Sequence, residues 1–309
     1  MKANQYETNP SELSIQLSSR PLVLLAGNGF CRAAGQCSCD VLIESIRKEY
    51  NPVLDPNLLK MLPFPQQVVA ASNDHVKENL KRIGKTMTEY RADHQYDEMF
   101  QMLATCGASA VLTPNYSNEI EQAFIDHYSS YQYRIHRRMT EDCRNEVRKL
   151  LYQYSDLSDH NVSATIWHIH GDAYQTKSMI MGHYYYGKLL NEIEQYVPGL
   201  IPRYKTALKQ GEDQISVHSW VDYFLLGNLH IIGFNMDSAE SDLWWLLCCK
   251  KRNFPEAKTY FYEPKKEDIL HNGKEAMLKT YGVHIITSDD FDGNYHEYYK
   301  EELKNITNY

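Results

Sequence analysis

Three short groups of residues have the types and spacing for chemistry. Gly27, Asn28, Gly29, Phe30, Cys31 and Arg32, with Gly35 just beyond, follow the apolar run Pro21 to Ala26. Thr113, Pro114, Asn115, Tyr116 and Ser117 follow a second run, Ala108 to Leu112; His168, Ile169, His170 and Gly171 end a third. Gly-x-Gly lets a backbone turn sharply and approach a ligand with no Cβ in the way. A helix starting behind it offers N–H groups and a positive dipole end to an anion such as phosphate. Arg32 is placed to reach a diphosphate, and Gly35 permits close packing below. Asn115 both donates and accepts, so it can orient a water or a ribose hydroxyl; the same position also suits a helix cap. His170 titrates near neutrality and can act as a base, or it is a hydrogen-bonded core histidine. His168 precedes it by two residues and shares its face on an ideal strand. A metal pair is then geometrically possible, but no carboxylate or thiolate motif stands beside it, and no metal is expected.

Each group sits where a buried strand should stop. Further apolar runs at Leu229 to Phe234, Lys258 to Tyr262 and Val283 to Thr287 read as strands, and Ser178 to Met181 as another. Helical spacing marks Ala33 to Tyr50, Asn118 to His127, Trp220 to Leu226, Lys265 to Tyr281 and Phe291 to Lys304. His183 to Lys209 reads as helix interrupted at Pro198-Gly199 and Pro202. Asp237 followed by Glu240 has capping-box spacing and opens a helix through Leu247. Thr140 to Tyr154 reads as a helix, and the basic patch Arg134, His136, Arg137 and Arg138 as the solvated start of one. Strands alternating with helices, the strands continuously apolar, predict an α/β fold with a parallel sheet covered by helices on both faces. One domain over 1–309 is expected, with helical insertions at 51–107, 128–162 and 183–226. Ligands in such sheets bind at the carboxyl ends of the strands.

Composition narrows the partners. The net charge of −8 argues against broad electrostatic binding to nucleic acid. No apolar stretch approaches the roughly 18–20 residues that span a bilayer, and the polar start from Met1 to Arg20 has no signal core; a cytoplasmic protein without a membrane partner is expected. Seven cysteines lack zinc-ribbon spacing and read as reduced thiols. Nine of the 24 tyrosines cluster at 128–133, 184–186 and 295–299, and such clusters favour a homo-oligomer interface.

In order along the chain, these motifs resemble those of the sirtuin-like superfamily, from Pro21 to about Arg252. The family's nucleotide loop, G-A-G-x-S-x-x-x-G, is similar to Gly27-Asn28-Gly29-Phe30-Cys31 with Gly35 in register. Its T-Q-N-I-D motif resembles Thr113 to Ser117, and its catalytic His-Gly resembles His170-Gly171. Its G-T-S strand end, which holds the adenosine ribose, resembles Gly233-Phe234-Asn235. Cys31 and Ser117 stand where the family has Ser and Asp, and the CxxC zinc module is missing. The resemblance is therefore to zinc-free bacterial members that hydrolyse NAD+ in anti-phage defence; Gly-Asn-Gly-Phe also resembles the abortive-infection AbiH proteins. It implies a Rossmann-like sheet and cleavage of NAD+ to nicotinamide and ADP-ribose. Asn115 and His170 would be catalytic, and Gly27 to Arg32, Gly35, Thr113, Gly171 and Gly233 to Asn235 would hold the nucleotide. A second defence protein is a candidate partner. A non-catalytic NAD+ or ADP-ribose sensor, an interaction protein without ligand and a zinc-free deacylase remain the alternatives.

Overall fold

The apolar runs become the middle of a mixed sheet. The computed structural model describes residues 13–35, 39–76, 80–81, 83–85, 98–122, 136–139, 150–159, 162–265, 269–289 and 291–307. Its strands are β1 (Ser14–Gln16), β2 (Leu22–Ala26), β3 (Ala110–Thr113), β4 (His136–Met139), β5 (Gln153–Asp159), β6 (Val162–His168), β7 (Gln214–Ser216), β8 (Asn228–Ile232), β9 (Thr259–Pro264) and β10 (Val283–Ser288). Eight of them form one sheet in the order β10-β9-β8-β2-β3-β6-β5-β4, and β1 pairs with β7 apart from it. The six strands from β10 to β6 run parallel; β5 and β4 are antiparallel.

Helices cover both faces. They are α1 (Asn28–Ala33), α2 (Cys39–Tyr50), α3 (Pro56–Leu59), α4 (Phe64–Ala71), α5 (Glu98–Thr105), α6 (His183–Gln210), α7 (Trp220–Leu226), α8 (Ser241–Asn253), α9 (Ile269–Thr280) and α10 (Tyr295–Thr307). Alternate residues of β2 serve different cores, as the period of two demands. Val23 and Leu25 pack with α6, α7 and α8, whereas Leu24 and Ala26 pack with α1, α5 and α10. A third apolar cluster joins α2, α3 and α4 to Tyr116 and Met179 beside the sheet's carboxyl edge.

Several expectations are corrected. His136, Arg137 and Arg138 lie in an edge strand, not a helix start, and Tyr154 lies in β5, not in a helix. The described parts of the 128–162 insertion are strand at 136–139, 153–159 and 162 and turn at 150–152, while residues 128–135, 140–149 and 160–161 lie outside the described residues. Ser178 to Met181 form no strand: Ile180 N–H turns instead to the His170 carbonyl at 2.8 Å. In Ala33 to Tyr50, Ala33 ends α1, Ala34 and Gly35 form a turn, and α2 starts at Cys39. Helix α6 runs unbroken through Pro198 and Pro202. Its buried stripe, Tyr186, Leu189, Ile193, Val197, Leu200, Tyr204 and Ala207, continues on both sides of the prolines, which face solvent. The carbonyls deprived of an N–H partner thus meet water, and the packed stripe offsets the cost of about 3 kcal/mol.

Among the described residues, no helix is long and apolar enough to cross a membrane.

Candidate functional site

Parallel register puts the chemical motifs in one row. Ala26 stands beside Ile232, Leu25 beside Leu112 and Thr113 beside His168, so the loops after β8, β2, β3 and β6 leave the same edge. Chain order reverses between β2 and β8, and a crevice opens at such a reversal because the two flanking loops leave in opposite directions. A cavity of about 790 Å³ lies there, a size suited to a nucleotide. Asn28, Gly29, Arg32, Asn115, His170, Gly233, Phe234 and Asn235 line it; Gly27, Phe30, Cys31, Gly35, Thr113 and Gly171 do not.

The residues outside the lining hold those within it. Gly27 and Gly29 pack main chain on main chain: Gly29 N–H donates to the Gly233 carbonyl at 2.7 Å, and Gly27 N–H to Ile232 at 3.0 Å. A Cβ on either would come within 2.6 or 2.7 Å of that Gly233 oxygen. The space a Cβ would fill at either glycine is taken by the Gly233 main chain, while Gly29 also lines the cavity. Phe30 N–H is also spent, on the Gly27 carbonyl at 3.2 Å, and α1 has only six residues. Arg32 is this loop's cation at the cavity. Phe30 is core, its ring 5.4 Å from Phe100 and 5.5 Å from Tyr299. Thr113 Oγ1 donates to the Ala26 carbonyl at 2.9 Å and accepts from Asn115 N–H at 3.2 Å, tying the ends of β2 and β3 together.

Asn115 is set from two sides. Its Nδ2 donates to Cys31 Sγ at 3.2 Å, and its carbonyl accepts from His168 Nδ1 at 2.7 Å. Burial, aided by the nearby Glu119 charge, pushes the Cys31 thiol far up, which makes it a poor nucleophile. The other His168 nitrogen donates to Glu121 Oε1 at 2.8 Å, and Ser155 Oγ donates to that same oxygen at 3.2 Å. Both His168 nitrogens therefore face acceptors, which only the imidazolium satisfies. Burial pulls the His168 pKa down, but the Glu121 charge outweighs it and carries it to about 9. His168 is a structural cation under Asn115, with both ring nitrogens engaged by Asn115 and Glu121.

That pair makes a pH prediction. The folded pKa of about 9 exceeds the ordinary value of 6.5, so its stabilisation is complete below the ordinary value and is lost as pH rises through about 9. Chemical denaturation across this window should show stability falling with pH, and the slope should shrink in Glu121→Gln. An unchanged slope in that variant would show that the pair is not its source.

His170 sits in the turn after β6 and is 1 % exposed. Gly171, at φ +82°, lets the chain reverse there; a Cβ would collide with the Ser178 carbonyl. The ring meets Tyr186 edge-on at 5.1 Å. Its Nε2–H donates to Asp242 Oδ2 at 2.9 Å, and Glu240 Oε2 lies 3.9 Å from the same nitrogen. Burial disfavours the charged ring, but Asp242, then Glu240, outweigh it, and the His170 pKa is raised. Burial likewise raises the Glu240 carboxyl to about 7, against the pull of His170.

No family model and no curated protein matches the chain.

Glu240 and Asp242 are the residues that sequence reasoning missed as site residues. The expected capping box is not made: Glu240 is the residue before α8 but gives no side-chain cap, while Asp237 Oδ1 accepts from Ala239 N–H at 2.9 Å in a local turn. Glu240 is turned toward His170 instead. A capping box does form at Ser219 and Asp222, at the start of α7. The cavity wall contributed by Leu42, Lys60 and Phe64, and the Glu263–Lys274 ion pair at 2.9 Å on its other side, carried no motif at all.

Proposed function

We propose that the protein is a sirtuin-like NAD+ hydrolase of the zinc-free type, with a Rossmann-like nucleotide site, acting in anti-phage defence. The observation that carries this reading is the meeting of Asn115 and His170, from the ends of neighbouring parallel strands, on one cavity at the sheet's reversal point. In the reaction, the bond between the ribose C1′ and the nicotinamide nitrogen breaks, and its electron pair neutralises the pyridinium. Water attacks C1′ through an oxocarbenium-like transition state, as in other glycosidic cleavages. Asn115 orients the water or a ribose hydroxyl. Asp242 occupies His170 Nε2 and fixes the ring, so the proton passes to Nδ1, as it does when a carboxylate holds the far nitrogen of a catalytic imidazole. Arg32 faces the diphosphate, and Gly233 to Asn235 the adenosine side. The products are nicotinamide, ADP-ribose and a proton.

A second reading has its own support. The glycine loop spends the Gly29 and Phe30 N–H groups internally, which fits a sensor that binds the nucleotide without turning it over. Incubation with NAD+ followed by chromatography separates the two. Nicotinamide and ADP-ribose in equal amounts are expected; intact NAD+ with tight binding would support the sensor, and no binding would remove the nucleotide site altogether.

A further inference from the structure

His170, Glu240 and Asp242 offer one imidazole nitrogen and two carboxylate oxygens, all within 4.8 Å of one another. Two features bear on what this group can hold. Glu240 Oε2 and Asp242 Oδ1 are buried with no hydrogen-bond partner, although Asp242 is 0 % exposed. Among the described residues, no lysine or arginine pairs with either carboxylate; His170 alone faces both. Buried carboxylates ordinarily obtain a full complement of donors or coordinate a cation. His170 and Glu240 also line the cavity, so a cation can enter and keep an open position toward it.

We infer that these three residues form a divalent-cation site, and that its occupation switches the cavity off. The mixed imidazole and carboxylate set suits Mn2+ or Zn2+ better than Mg2+, which keeps its waters and prefers oxygen alone. The sequence showed no such site because the carboxylates come from the residue before α8 and from its first turn, far along the chain from His170.

The switch follows from the two nitrogens of one ring. In the empty site Nε2 carries the hydrogen given to Asp242, leaving Nδ1 as the proton acceptor. A cation bound at Nε2 displaces that hydrogen, and the neutral ligand ring keeps its one proton at Nδ1. A ring in that state donates at Nδ1 and no longer accepts. One proton is released to solvent when the ring was charged beforehand. The binding claim stands on the cluster alone; the switching consequence rests on the hydrolase reading above.

Titration of the full chain with Mn2+, followed through the loss of the free-ion electron paramagnetic resonance signal, tests the site. A single equivalent should bind, Zn2+ should displace it and Mg2+ should not. Glu240→Gln and Asp242→Asn should each weaken Mn2+ by more than about tenfold, with circular dichroism and thermal melting verifying that each variant is folded. Absence of bound Mn2+ in the wild type, or equal affinity in both folded variants, would overturn the site. NAD+ cleavage is then measured with and without saturating Mn2+. A fall that a chelator reverses supports the switch, and unchanged or faster cleavage overturns it. NAD+ left intact in both samples would remove the hydrolase reading, and the switch with it, while the titration still decides the site.

Discussion

Replacing His170 by alanine should slow NAD+ cleavage by about 10²–10⁴-fold, the usual contribution of a positioned base, while NAD+ binding stays within a few-fold of the wild type. The separation follows from the geometry. His170 is 1 % exposed and touches the cavity from one side, whereas the proposed diphosphate and adenosine contacts come from Arg32 and from Gly233 to Asn235. The alanine variant leaves Asp242 buried without its partner, so His170→Asn, which can still donate to Asp242, belongs beside it. Both variants should lose turnover, and the asparagine should retain more stability. The pH profile supplies a further check. Nδ1 accepts a proton only in the neutral ring, and the His170 pKa is raised, so kcat/KM should climb with pH along a limb lying above the ordinary value of about 6.5. Asp242→Asn removes the main source of that rise and should move the limb toward lower pH. Loss of NAD+ affinity with residual turnover intact would assign His170 to binding; equal turnover in the wild type and both variants would place the chemistry elsewhere.

What the sequence disclosed depended on whether burial wrote itself into a local pattern. β2, β3, β6 and β8 are covered on both faces, so their sequences are apolar runs, and the loops beyond them were found at the right ends. β4 is the edge strand and β5 lies between it and β6, with HRRM and SDLSD in place of any such run; the basic residues read as a solvated helix because an edge needs no apolar alternation. The prolines of α6 misled for a related reason. Local cost predicted a break, but only the tertiary stripe on the opposite face shows why the helix persists. Half the site was legible in the same way. Asn115 and His170 follow strands and carry their chemistry in their type. Glu240 and Asp242 looked like an ordinary helix start, and their meeting with His170 depends on the juxtaposition of the β6 and β8 loops, for which no short-range spacing exists. The glycines were found as residues, but composition cannot say whether a missing Cβ makes room for a ligand or for another main chain, and the Gly233 main chain stands against both.

That distinction sets the largest structural effect expected, at Gly233→Ala. Gly233 has φ +63°, and an added Cβ would fall inside contact distance of the Phe30 nitrogen and side chain. The left-handed backbone costs alanine about 1–2 kcal/mol, and overpacking a close junction about 1–3 kcal/mol more, so a loss of about 2–5 kcal/mol is expected in chemical denaturation. Gly187→Ala is the control: Gly187 lies inside α6 with open space around its Cβ position, and there alanine should hold or raise stability through helix propensity. The consequence for the site follows from what the junction holds. Gly233 accepts from Gly29 N–H, and Phe30 anchors the same loop in the core against Phe100 and Tyr299. Pushing Gly233 away from Phe30 separates the β2 and β8 loops where Gly29 N–H meets the Gly233 carbonyl, and it shifts Asn28, Arg32 and Asn235 together. Gly233→Ala should therefore weaken NAD+ binding, in contrast to His170→Ala, which spares it. Unchanged stability and affinity in Gly233→Ala would mean that the two loops are held apart from this contact, and that the cavity does not owe its shape to the glycines.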